Sequence, residues 1–114
     1  MAADEAEVRS LWTGEVLKER DLCPLVLVRT RDAGIHVGYL AEYDRANQTV
    51  TFHTSWRLWR WRGANTLSEV TVDGISEQSA VARPVRGHEV LGVAEVLQVS
   101  AKAAATLLHP RWHP

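Results

Sequence analysis

Between Trp56 and Arg62 the chain sets three of its five tryptophans beside three of its eleven arginines. A guanidinium forks onto phosphate or carboxylate oxygens, and an indole offers a flat face on which a base stacks. The mixture therefore suits an anionic, ring-bearing ligand. As a strand, this stretch directs Arg57, Trp59 and Trp61 to one face and Trp56, Leu58, Arg60 and Arg62 to the other, so each face carries both groups. The alternative is an ordinary edge of the core, with Trp59 and Trp61 turned inward and the arginines in water.

Immediately downstream, Thr66-Leu67-Ser68-Glu69 has the spacing of a capping box, in which hydroxyl and carboxylate each satisfy a free backbone N–H at a helix start. Free N–H groups there favour an anion, which makes Asn65 and Thr66 candidate ligand contacts, although the capping geometry alone explains Thr66. His36 lies between Gly34 and Gly38, where small neighbours admit close approach of a ligand or a second chain, or simply form a tight hairpin around a surface histidine. Arg111 is placed to close over a ligand held by a neighbouring subunit. Catalytic chemistry is poorly represented. His36, His53 and His88 have no serine or cysteine in a nucleophile setting, and Cys23 precedes Pro24 at a strand start. No carboxylate pair or tight His/Asp/Glu cluster stands out. The expected activity is non-enzymatic binding, with no cofactor and no metal.

These residues sit in a chain of 114, enough for one domain. Its net charge of −1 divides unevenly: residues 1 to 21 hold six acids against three bases, and the remainder eight acids against ten bases. An acidic arm before a mildly basic body excludes a strongly basic nucleic-acid binder but leaves room for a local anion site. The single cysteine cannot form an internal disulfide, no apolar run approaches the roughly 20 residues of a membrane span, and the first residues lack a basic leader. A cytoplasmic protein without membrane contact is expected.

The elements that must position the site follow from periodicity. Residues 1 to 24 form an arm, with a helix predicted over Asp4 to Leu17 on the recurrence of Val8, Leu11 and Trp12, although Gly14 interrupts it. Residues 25 to 114 form the ligand-binding domain. Strands are predicted over Leu25 to Thr30, Ile35 to Tyr43 and Thr49 to Thr54, separated by turns at Asp32-Ala33-Gly34 and Asp44 to Asn47. The tryptophan stretch is a fourth strand. A short helix after Thr66 stops at Gly74; Ile75 to Gly87 is a loop with an edge strand near Val81. Glu89 to Val99 is a last strand, and Ser100 caps an alanine-rich helix through Leu108, beyond which Arg111 begins a tail. The fold class is α+β, a small antiparallel β-meander or partly open barrel with two short helices. Five tryptophans on so small a sheet imply an apolar patch that a symmetric partner would cover, hence a homo-oligomer, dimer or higher.

Two motifs carry a family resemblance. Arg29-Thr30-Arg31-Asp32-Ala33-Gly34-Ile35-His36-Val37-Gly38 is the first and weaker, and Arg57-Leu58-Trp59-Arg60-Trp61-Arg62-Gly63-Ala64-Asn65-Thr66-Leu67-Ser68-Glu69 the second and more specific. Together they resemble a family of small bacteriophage proteins that includes the first-described Thoeris anti-defence sponge, over roughly Leu25 to Leu108. The resemblance implies a homo-oligomeric phage or prophage protein. Such a protein sequesters a cyclic nucleotide-type immune signal, glycocyclic ADP-ribose or a cyclic oligonucleotide, in the host cytoplasm without degrading it. It also brings Arg29 into the site, by membership of the first motif. Two departures stand against it: Trp56 occupies the first of two places where the family tends to carry adjacent arginines, and the arm is additional. The rival reading is a nucleic-acid or protein interaction module of a phage.

Overall fold

A computed structural model describes residues 7–9 and 16–18, as backbone, and 23–111 in full. In the arm, Glu7–Arg9 (β1) and Val16–Lys18 (β2) pair antiparallel, with Val8 opposite Leu17. This replaces the helix predicted over Asp4 to Leu17; Gly14 disfavours a continuous helix, and β-branched Val8 and Val16 suit an extended chain. The remainder is α+β, as the periodicity implied: a six-stranded antiparallel sheet carrying two short helices.

The sheet starts from a meander of Leu25–Thr30 (β3), Ile35–Asp44 (β4) and Thr49–Arg60 (β5). The turns fall where Asp32-Ala33-Gly34 and Asp44 to Asn47 place them, and the Asp44 carboxylate accepts from both the backbone and side-chain N–H groups of Asn47. The third and fourth predicted strands are one, because nothing between Thr54 and Trp56 breaks an extended chain. Ala80–Val81 (β6) pairs with the far end of β5, opposite Leu58 and Arg60, and Val85–Leu91 (β7) pairs with its near half from Thr49 to Ser55. Val93–Gln98 (β8) pairs with β3 on the opposite side of the meander.

The predicted strand Glu89 to Val99 is thus divided at Gly92, whose φ of 72° lies in the left-handed region that a side chain resists. Its carbonyl accepts from Arg31 N–H, and Val93 N–H donates to the Gln48 carbonyl, so both hairpin turns hold the bend. One continuous segment thereby reaches from β5 round to β3. The first three residues of β7 come from what the sequence suggested was loop; they begin directly after Pro84, which occupies no ladder position.

Both faces of β3 are buried, which accounts for its unbroken apolar run. Leu27 joins Val37, Leu58, Val70, Ile75, Val81, Ala103 and Leu107 in a core beneath the helices Leu67–Asp73 (α1) and Ala101–Leu107 (α2). Val26 and Val28 point the other way, into a second core with Val50, Phe52, Val90 and Val93, enclosed where the bent segment curls the sheet. The helices begin at the residues that the capping signals mark: Thr66 Oγ1 accepts from Glu69 N–H and Ser100 Oγ from Ala103 N–H. Ser100 Oγ also donates to the Val72 carbonyl at 2.6 Å, tying one helix end to the other's start.

Candidate functional site

Where β7 parts from β5 lies a recess of about 560 Å³ whose lining includes His36, Ser55, Arg57, Trp59, Arg83 and His88. Its residues come from five places in the chain. β4 and β5 supply His36 and Arg57 as cross-strand partners, with Gly38 opposite Ser55 two residues along. β7 supplies His88, and the link from β6 to β7 supplies Arg83. Asp32 and Glu89 add carboxylates to the lining.

Gly38 lets these strands come together. A Cβ there would press on the Thr54 carbonyl oxygen and stand 2.7 Å from the Phe52 ring and 2.9 Å from Ser55 Cα. The β4–β5 ladder slips around Leu40. Phe52 and Ser55 are three residues apart, yet both reach His88: the Phe52 ring at 6.4 Å between centroids, Ser55 Oγ at 2.9 Å from Nδ1.

The two histidines pack edge to face, 4.9 Å between ring centroids. His36 is 4% exposed, and its Nε2 donates to the Ala33 carbonyl at 2.7 Å, since a carbonyl only accepts. Its Nδ1 is buried with no hydrogen-bond partner among the described residues. Burial, opposed by the Ala33 hydrogen bond and assisted by the neighbouring His88 and Arg57, holds the His36 pKa below the ordinary histidine value of 6.5. His36 is therefore neutral at neutral pH and Nδ1 an acceptor. Ser55, 2% exposed, shares a hydrogen bond of 2.9 Å between its Oγ and His88 Nδ1.

A pH prediction follows from this burial. The unfolded chain takes up a proton near 6.5 that the folded chain accepts only at lower pH, so the neutral His36 supports the fold fully above that value and loses its contribution as pH falls below it. Melting temperatures taken from pH 8 to pH 5 should decline, and His36→Gln, with nothing to titrate there, should decline less steeply. Equal slopes would remove His36 as the cause.

At the mouth, the Arg57 guanidinium lies 4.3 Å from the centroid of the Trp59 ring, and Trp59 is 52% exposed. The alternation expected of this strand holds for Arg57 and Trp59, which share the recess side, and for Leu58 and Trp56, which pack into the helix-covered core. Trp61 departs from it. The strand ends at Arg60, and the Trp61 indole packs against the core beneath the helices.

Of the residues singled out from sequence, the structure brings His36, Arg57 and Trp59 together and sets the others apart. Arg29 lies across β3 and β8 in an ion pair with Glu95 at 3.2 Å. Arg60 is exposed opposite Ala80 and does not line the recess. Asn65 and Thr66 serve the helix: Asn65 N–H donates to Glu69 Oε2 at 3.0 Å and Thr66 is its cap. Arg111 is pinned within its own chain, donating to the carbonyls of Thr106, His109 and Ser76 and pairing by backbone with Val81. Residues 112–114 of the expected tail lie outside the described residues. Sequence reasoning missed Ser55, Arg83 and His88. No local signal marks them, because Ser55 and His88, 33 residues apart, meet only through the pairing of β5 with β7.

Among the described residues there is no group of three His, Cys, Asp or Glu side chains arranged to hold a metal, and no helix long and apolar enough to cross a membrane. Comparison with curated proteins found no match, and neither did comparison with solved structures. Residues 24–107 match a family model described as a domain of unknown function, DUF6948. The match runs from the residue before β3 to the last residue of α2, so it takes in the whole sheet and both helices. The chain belongs to the DUF6948 family.

Proposed function

We propose that this protein binds a small anionic, ring-bearing molecule of the cyclic nucleotide type and holds it without chemical change. The observation that carries this reading is the Arg57 guanidinium stacked on the Trp59 indole at the mouth of a recess lined by His36, Ser55 and His88. A fork for phosphate and a face for a base stand side by side, above buried polar groups that fix orientation, in a volume within the usual range of about 300–1,000 Å³ for small-molecule sites. The resemblance of the Arg57 to Glu69 motif to phage signal-sequestering proteins supports the same reading. It extends the proposal to glycocyclic ADP-ribose or a cyclic oligonucleotide as the captured immune signal, in the cytoplasm of an infected host cell. A homo-oligomer belongs to this proposal: Trp59, Val85 and Leu91, each more than half exposed, all line the recess and leave apolar surface for a second copy to cover.

The test is to incubate the protein with cyclic nucleotides and ADP-ribose derivatives, remove unbound material, denature, and analyse the eluate by mass spectrometry. One compound should be retained and returned intact. An altered product would instead make Ser55 and His88 a nucleophile–base pair. Retention of none, with salt-sensitive binding of nucleic acid, would favour the interaction-module reading. Light scattering on the same sample should give a mass at least twice the 12.8 kDa of one chain.

A further inference from the structure

Much of the recess wall is apolar, so the few polar groups on it decide which molecule is accepted. They sort by sign. The guanidinium groups of Arg57 and Arg83 only donate hydrogen bonds, and the carboxylates of Asp32 and Glu89 only accept them. Neither carboxylate is joined by a hydrogen bond or an ion pair to another side chain among the described residues. Ser55 and His88 are bonded to each other. His36 adds one more acceptor, its buried and unpartnered Nδ1, a state that costs stability until a donor reaches it.

Three of these groups meet at one turn. Asp32 lies in the turn between β3 and β4, and the Ala33 carbonyl of that turn holds His36 through Nε2. The Arg57 guanidinium packs against the same turn: a Cβ on Gly34 would stand 3.0 Å from its Nη2 and 3.1 Å from its Nε. A cationic fork and two acceptors are thus grouped together, whereas Glu89 belongs to β7. A bare phosphate satisfies only the fork and sets like charge beside Asp32. A molecule that suits the whole corner brings donors of its own next to its anionic group.

We infer that the ligand presents free sugar hydroxyls beside its phosphate, with Arg57 on the phosphate and Asp32, next to His36 Nδ1, accepting from the hydroxyls. A carboxylate reads a ribose in the same way in dinucleotide sites. This rests on the ligand-binding reading above and adds its specificity: a nucleotide with an open ribose diol is selected over a deoxy sugar or a bare phosphate, and Asp32 makes the choice.

Calorimetric titration with three probes tests this: inorganic pyrophosphate, adenosine diphosphate, and the dideoxy analogue of adenosine diphosphate, which lacks both sugar hydroxyls. The native protein should bind adenosine diphosphate at least tenfold more tightly than the dideoxy analogue. Asp32→Ala, at an exposed position, should close that gap while binding the dideoxy analogue and pyrophosphate several-fold more tightly, because a like charge is gone. Glu89→Ala, also exposed, removes the same charge from the other wall and should keep the gap. The inference is overturned if the native protein does not distinguish the two nucleotides, if Asp32→Ala still does, or if Glu89→Ala closes the gap instead. Weaker binding of the dideoxy analogue by Asp32→Ala would assign the carboxylate to the base and overturn it too. Each of these outcomes leaves ligand binding itself intact. Failure of the native protein to bind any of the three would overturn this inference and count against the broader one as well.

Discussion

Arg57→Ala should lose at least about tenfold in affinity for the captured ligand, because one charge-assisted hydrogen bond contributes roughly 1.5–3 kcal/mol and 1.4 kcal/mol is a decade. Its melting temperature should stay close to that of the native protein. The guanidinium is exposed, and stacking on an exposed indole stabilises by only about 0.5–1 kcal/mol. Arg57→Lys should recover part of the binding, since it keeps the charge and loses the planar fork. Arg60→Ala is the control: three residues away on the same strand and also exposed, it does not line the recess and should bind normally. Unchanged affinity in Arg57→Ala, or an equal loss in Arg60→Ala, would show the site to be elsewhere.

Gly38→Ala should cost about 3 kcal/mol, near the top of the usual range for forcing a methyl group into a packed interior, and lower melting by on the order of 10 °C. The atoms that a Cβ would meet belong to the Thr54 and Ser55 backbone and the Phe52 ring, none of which is the free end of a flexible chain. Pushing β4 from β5 would also part the strands that hold His36, Ser55 and Arg57, so binding should fall with stability. Gly87→Ala makes the comparison informative. That glycine has a φ of 65° with nothing within 4 Å of an added Cβ, so its alanine variant bears only the backbone penalty of about 1–2 kcal/mol. If Gly38→Ala melts no lower than Gly87→Ala, the close approach at Gly38 is not what sets the strand spacing.

Local chemistry was the part of this molecule most open to reading. Leu25–Thr30 could be delimited because Pro24 precedes it and a turn follows. Both helix starts could be placed because Thr66, Glu69 and Ser100 act on backbone groups three or four residues away. The site was legible only in part. Arg57 and Trp59 lie in one strand, and the period of two puts them on one side. Their neighbours His88 and Arg83 reach the same place through the long-range pairing of β6 and β7 with β5, which no window of sequence contains. For Trp61 the sequence left core and ligand-facing placements open, and the indole packs beneath the helices because the strand, and with it the period of two, ends at Arg60. Arg29 and Arg111 share the chemistry of Arg57 but are engaged by Glu95 and by three carbonyls, contacts set by pairing across the sheet rather than by residue type.

The bend at Gly92 also bears on how the chain comes off the ribosome. The meander of β3, β4 and β5 is complete by Arg60, but Val26, Val28, Val50 and Phe52 are covered only when Val90 and Val93 arrive some thirty residues later. Until then a nascent chain displays an apolar sheet face flanked by two unpaired strand edges, the state in which partly made β proteins associate with one another. Because one segment, β7 with β8, covers both the near half of the β5 edge and the β3 edge, that protection comes late and nearly at once. Closure also waits on contacts of large sequence separation, the slow class in folding. Synthesis of this small domain is therefore most exposed to aggregation in the interval between Arg60 and Gln98, and a chaperone that shields hydrophobic strands would act there.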